Sequence, residues 1–112
     1  EDHVPNGCGK GIYAYTLNSE TGEIEQTYVT NGITNPTYIH FDAEAGIVCA
    51  VEETYDTQGE IISYSVNDGG SLSETSRQST LGFASCHIES CGDSIIVSSY
   101  ASGSVASFAH SK

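Results

Sequence analysis

Positive charge is what this chain has least of. Its 112 residues carry three basic side chains, Lys10, Arg77 and Lys112, against 15 Asp and Glu, for a formal net charge of −12. Nucleic acids and anionic membrane surfaces are gripped by basic patches, so this balance argues against both as partners. Its simplest consequence is solubility. No apolar run approaches the roughly 20 residues of a membrane-spanning helix, and no leader-like stretch follows Glu1. Cysteine is sparse as well. Cys8, Cys49, Cys86 and Cys91 are too few and too unevenly spaced for a disulfide framework, which points to a reducing compartment. Cys86-His87 with Cys91 has the ingredients of a zinc site, but structural zinc takes two close pairs of ligands and the second pair is missing. The expectation is no metal, with the thiols acting as small core residues. Helical periodicity is also absent.

What the chain does have is a repeat. Gly11-Ile12-Tyr13-Ala14-Tyr15-Thr16-Leu17 returns as Glu60-Ile61-Ile62-Ser63-Tyr64-Ser65-Val66, with Tyr15 and Tyr64 standing 49 positions apart. Tyr38-Ile39 recurs as His87-Ile88 at the same offset, and Gly103-Ser104-Val105-Ala106-Ser107-Phe108 begins a third unit by shadowing Gly59 to Tyr64. A period of roughly 40–50 residues built from short strands marks β-propeller blades. Each blade needs a neighbour on both faces. The reading is all-β, a partial β-propeller over residues 1–112. It holds about two four-stranded antiparallel blades, with repeats at 11–59 and 60–108, where complete propellers have about four to eight blades.

Residues 1–10 are rich in turn formers and read as irregular. Tyr13, Tyr15 and Leu17 alternate on one strand face until the turn Asn18-Ser19-Glu20-Thr21-Gly22, and Glu23 to Val29 reads as a polar outer strand. After Asn31-Gly32 and Asn35-Pro36 come Tyr38 to Phe41, a turn over Asp42 to Gly46, and the apolar run Ile47-Val48-Cys49-Ala50-Val51. A short run covered on both faces suits the innermost strand of a blade. The second unit repeats the order with Ile61 to Val66, Leu72 to Gln78, Cys86 to Glu89 and Ile95 to Tyr100.

In that order, Gly11-Ile12-Tyr13, Asn35-Pro36-Thr37-Tyr38, Val48-Cys49-Ala50-Val51-Glu52-Glu53, Cys86-His87-Ile88 and Val97-Ser98-Ser99-Tyr100-Ala101-Ser102-Gly103-Ser104-Val105 resemble the N-terminal part of the lactonase family of seven-bladed propellers. That family includes bacterial 6-phosphogluconolactonase and fungal carboxymuconate lactonizing enzyme. Its corresponding one-letter pattern runs GIY, NPSYL, LYAVNE, PCHL, VANYGGGSV. Glu52 stands where the family has Asn, Ser98-Ser99 where it has Ala-Asn, and Ser85 where it has Pro. The resemblance implies a cytoplasmic, cofactor-free hydrolase of carbohydrate metabolism acting on a sugar lactone such as 6-phosphogluconolactone. It also implies that the family's Gly-Thr-Tyr-Thr strand, His-x-His segment and later Arg and Glu residues lie outside these 112 residues. Catalytic residues are therefore not assignable here, and the segment alone is expected to be inactive.

Candidate substrate-binding residues sit at the ends of the strands expected to be innermost: Glu53, its second-unit counterpart Tyr100, the adjacent Ser99, and His87 in the Cys-His position. Each has a structural alternative, as a hydrogen-bonded histidine, a blade-to-blade carboxylate contact or packing. His3, His40 and His110 have no evident partners and read as surface or strand residues. Gly7-Cys8-Gly9-Lys10-Gly11 lacks the spacing, the Ser or Thr and the helix of a phosphate loop. No Gly-x-Ser-x-Gly elbow occurs. Pro36 disqualifies Asn35-Pro36-Thr37 as a glycosylation acceptor. Three roles stay open: part of a lactone hydrolase, a non-catalytic interaction module, or an incomplete product without activity. Beyond a small lactone, the partners expected are a second copy or a chain supplying the missing blades.

Overall fold

The computed structural model describes residues 5–110. Among them are nine strands: β1 (Ile12–Leu17), β2 (Ile24–Thr30), β3 (Tyr38–Asp42), β4 (Ile47–Val51), β5 (Glu60–Val66), β6 (Leu72–Ser79), β7 (Ser85–Cys91), β8 (Ser94–Ser99) and β9 (Ser104–Ala109). A single short 3₁₀ turn, Asp68–Gly70, joins β5 to β6. No helix among the described residues is long and apolar enough to cross a membrane. The strands form three antiparallel sheets, ordered β1-β2, β3-β4-β5-β6 and β7-β8-β9. The expected all-β, partial-propeller architecture is what the chain adopts.

The middle sheet carries both cores. Along β4, Cys49 and Val51 face the third sheet and join Ile61, Ile88, Ile95 and Val97. The intervening Val48 and Ala50 face the first sheet and join Ile33, Ile62 and Tyr64. The period-two alternation of a strand thus sends one apolar run into two cores. β2 and β6 lie at sheet edges and are largely exposed, which accounts for their polar sequences.

Two expectations need correction. The Ile47–Val51 run is second in its sheet, hydrogen-bonded to β3 on one side and β5 on the other. Its double burial comes from the sheets stacked on its two faces. β7 packs against β3 and β4, and sheets radiating from an axis converge at their inner strands, so β3 and β7 are the inner strands. The units 11–59 and 60–108 also do not coincide with sheets. The first unit holds all of the first sheet and the β3-β4 half of the middle one. By their sequence matches β1, β5 and β9 are equivalent strands, so residues 11–59 carry the outer pair of one sheet and the inner pair of the next, and residues 60–108 do the same and add most of β9.

Local side chains shape the connections. Asn18 Oδ1 accepts from the backbone N–H groups of Glu20 and Thr21 at 3.0 and 3.1 Å, and Asp42 Oδ1 accepts from those of Glu44 and Ala45, both at 3.0 Å. Each is a turn built on an Asx side chain. The second is completed by Gly46 at φ +67°, where a Cβ is disfavoured. His110 also departs from expectation. Its side chain is 9% exposed, and Nε2 lies 3.3 Å from Asp42 Oδ2, tying the end of β9 to the end of β3. His40 is a half-buried strand residue, and His3 lies outside the described residues.

Candidate functional site at the strand ends

Two backbone hubs position the candidate residues. Asn35 and Ala84 are equivalent by the repeat offset, and both adopt the left-handed region, at φ 44° and 53°. Such conformations cost about 1 kcal/mol or more for non-glycine residues and persist where surroundings enforce them. The Asn35 carbonyl accepts from Glu53 N–H at 3.1 Å, and the Ala84 carbonyl accepts from Tyr100 N–H at 2.9 Å. Glu53 and Tyr100 are therefore counterparts, as their sequence placement suggests. Asn35 adds a side-chain bond, Nδ2 to the Glu53 carbonyl at 3.3 Å. Ala84 N–H donates to the Thr54 carbonyl at 2.8 Å, which joins the end of the β4 strand to the start of β7 across the sheet boundary.

These links gather side chains from both sheets at one end. The rings of Tyr38, opening β3, and His87, near the start of β7, have centroids 4.5 Å apart and a tilt of 43°. Tyr55 Oη donates to Glu53 Oε1 at 3.3 Å. Partial burial raises the Tyr55 hydroxyl pKa, and the charge of Glu53, with smaller contributions from Tyr100 and Cys86, raises it further. Tyr100 stands 78% exposed beside this group. The rim thus holds two groups, the Tyr38–His87 ring pair and Glu53 with Tyr55 and Tyr100.

Ser99 is not part of it. At 4% exposure, its hydroxyl lies 3.0 Å from Ser85 Oγ, which is 2.7 Å from Thr80 Oγ1, which in turn donates to the Gly59 carbonyl at 3.0 Å. This buried hydroxyl chain fastens the connector between β6 and β7. Gly82 of that connector sits where an added Cβ would fall on the Ser99 side chain. Ser85 and Ser99, which stand where the family pattern has Pro and Asn, both belong to the chain.

The lone arginine is committed elsewhere. Arg77 meets Glu60 at 2.6 Å, Glu74 at 3.0 Å and Glu52 at 3.4 Å, and donates to the Gly32 carbonyl at 3.0 Å. Hydrogen bonds to Glu74 and Glu60 push the guanidinium pKa well above its ordinary range. Glu52 Oε1 also accepts from Thr34 N–H at 2.9 Å. The residue that departs from the family's Asn is therefore one arm of a clamp on the connector leading to β3. Among the described residues no three His, Cys, Asp or Glu side chains gather to hold a metal. Cys86 and Cys91 lie near opposite ends of β7, about 17 Å apart at strand rise, beyond any shared ion.

Chemically, the rim offers a carboxylate, an imidazole and three phenols, which together accept and donate hydrogen bonds and present aromatic faces. Tyr38 and Tyr55 were not among the sequence candidates. The Tyr38/His87 offset was the available signal, since equivalent positions on successive inner strands face each other. Nothing local marks Tyr55, which sits in the loop after β4.

Residues 3–112 match the family described as Lactonase, 7-bladed beta-propeller. Among solved structures, the chain is similar to a candidate 6-phosphogluconolactonase of Bacteroides fragilis, with 28% identity and a TM-score of 0.85, covering 94% of this chain and 30% of that one. A candidate 6-phosphogluconolactonase of Bacteroides uniformis is similar at 27% identity and a TM-score of 0.87, covering 96% of this chain and 31% of that one. No curated protein matches the sequence. The chain thus spans under a third of the length of these structures, and with its repeat, its radiating sheets and its matched residues it belongs to the lactonase family of seven-bladed β-propellers.

Proposed function

We propose that these residues form about two blades of a cytoplasmic lactone hydrolase acting on a sugar lactone such as 6-phosphogluconolactone, and that they lack turnover alone. In that reaction water adds to the lactone carbonyl carbon and the ring C–O bond breaks. The products are a carboxylate, a free hydroxyl and one released proton. The observation that carries the reading is the family match over residues 3–112; Glu53, after β4, and His87, on β7, are the residues of adjacent sheets that we place nearest the substrate. Lactone opening also needs positive charge for the developing oxyanion. Arg77 is saturated by carboxylates, so that charge belongs to other blades.

The test is split complementation. The 112-residue chain should not accelerate 6-phosphogluconolactone hydrolysis above buffer. When mixed with the remaining blades of the Bacteroides fragilis protein, it should restore saturable turnover. Turnover by the chain alone, or none in the reconstituted mixture, overturns the proposal. A second reading, a non-catalytic interaction module, is favoured by an apolar cleft of about 410 Å³ along β1, lined in part by Tyr13, Tyr15, Ile39 and Phe41. It expects association that deepens with concentration, measured by light scattering.

A further inference from the structure

We infer that two copies of this chain stack head to tail, the outer face of the third sheet of one copy lying on the outer face of the first sheet of the other. The inference stands on the repeat and goes beyond the lactonase reading. Inside the chain the same contact occurs twice. Ile12 of the first sheet packs on the core that holds Ile62 and Tyr64 of the middle sheet. Ile61 of the middle sheet belongs to the core against which Phe108 of the third sheet packs. Ile12, Ile61 and Val105 hold one repeat position, and Tyr15, Tyr64 and Phe108 hold another. Each seam thus turns the first position of one sheet toward the second position of the next. The series is open at both ends, at Val105, 69% exposed, and at Tyr15, 51% exposed.

The outer face of the first sheet is built for burial. Tyr13, Tyr15 and Leu17 alternate with Ile12 and so face away from the middle sheet. On β2 they pair with Val29, Gln26 and Ile24, as Ile62, Tyr64 and Val66 pair with Arg77, Glu74 and Leu72 in the middle sheet. In both sheets the register shifts just before the tyrosine. The skipped residues, Thr27 and Thr75, donate Oγ1 to the carbonyls of Ala14 and Ser63 at 3.3 and 3.1 Å. The two backbones match, yet Tyr64 is buried, while Tyr15, Leu17 and Ile24 are exposed. Tyr13 and Tyr15 also border the cleft beside β1, so face and cleft are continuous. A contiguous apolar surface of this kind marks an interaction site. The layer that fits over Tyr15 carries an Ile12-type residue in the equivalent place. The third sheet of a second copy supplies it, with Val105 and Ser107 standing where the middle sheet has Ile61 and Ser63, and Ile96 paired beside Ser107. The seam joins two different faces, so it is heterologous.

The experiment is analytical ultracentrifugation of the 112-residue chain from about 1 to 100 μM, which spans micromolar affinities. The chain should associate. Added salt should tighten the association, because each copy carries a net charge of −12 and the contact is apolar. Val105→Lys and Tyr15→Glu lie at exposed positions, so each should keep the far-UV circular dichroism of the parent and weaken association about tenfold or more, as loss of an interface anchor does. Leu17→Lys and Ser107→Lys repeat the test on each face. Mixed together, Val105→Lys and Tyr15→Glu retain one intact pair of faces between them, so association should return in the mixture. A chain that stays monomeric, association indifferent to either face's substitutions, dispersal by salt, or a mixture that stays monomeric overturns the inference.

Discussion

Tyr38 and His87 occupy the same position of successive repeat units, and their rings meet across the boundary between two sheets with centroids 4.5 Å apart. Aromatic pairs contribute about 0.5–1.5 kcal/mol beyond the area they bury. Tyr38→Ala should therefore lower unfolding free energy by about that amount plus lost burial, and Tyr38→Phe should be nearly neutral. Urea unfolding of the three proteins decides it; a neutral Tyr38→Ala would mean that the ring contact carries no stability.

Arg77 draws three carboxylates together, and its removal leaves them facing one another. Since these groups are partly exposed, Arg77→Met should cost only about 1–2 kcal/mol, and added salt should recover part of it. The Arg77 hydrogen bond holds the Glu74 carboxyl below its ordinary pKa of 4.5. A depressed acid stabilises fully above that ordinary value, and its contribution disappears as pH falls through the lowered one. The acid limb of the stability profile below about pH 4.5 should thus be shallower in Arg77→Met. Identical limbs would refute the coupling.

The repeat foretold the strand inventory, and the order of strand ends, not the 49-residue offset, paired Glu53 with Tyr100, which stand 47 positions apart. It did not foretell where the sheets divide. The run Ile47–Val51 reports burial on two faces, and stacked sheets supply that as readily as a channel would. The clamp at Arg77 was illegible for a related reason. Gly32 lies 45 residues away in sequence, and only the crossing of the connector brings it to β6. The role of Ser99 was hidden because a serine that faces a ligand and one that faces Ser85 look alike in sequence.

Thiol reactivity should rank by burial. Cys8 and Cys91 are exposed, Cys86 is intermediate and Cys49 is buried. Burial also raises the Cys49 pKa, outweighing the opposing hydrogen bond from Ser63. The thiolate is the reactive form. Iodoacetamide mapping at neutral pH should label Cys8 and Cys91 first, Cys86 later, and Cys49 only in denaturant. Early labelling of Cys49 would contradict the two-core packing.

The connector between β6 and β7 leaves no room at Gly82. Gly82→Ala should destabilise by about 3 kcal/mol or more through overlap with the Ser99 side chain. Ser99→Gly, which alone loses one hydroxyl contact worth about 1 kcal/mol, should partly rescue it in the double variant. Additive losses in thermal unfolding would show that the two sites do not touch.

The half-step between repeat and sheet has a consequence for growth by duplication. A copied unit never arrives as a finished layer; it completes the sheet before it and founds the one after. Every internal seam is thus crossed by covalent chain. Lengthening the array leaves its two terminal profiles unaltered. Only a partner, or the array's own far end, makes the series closed.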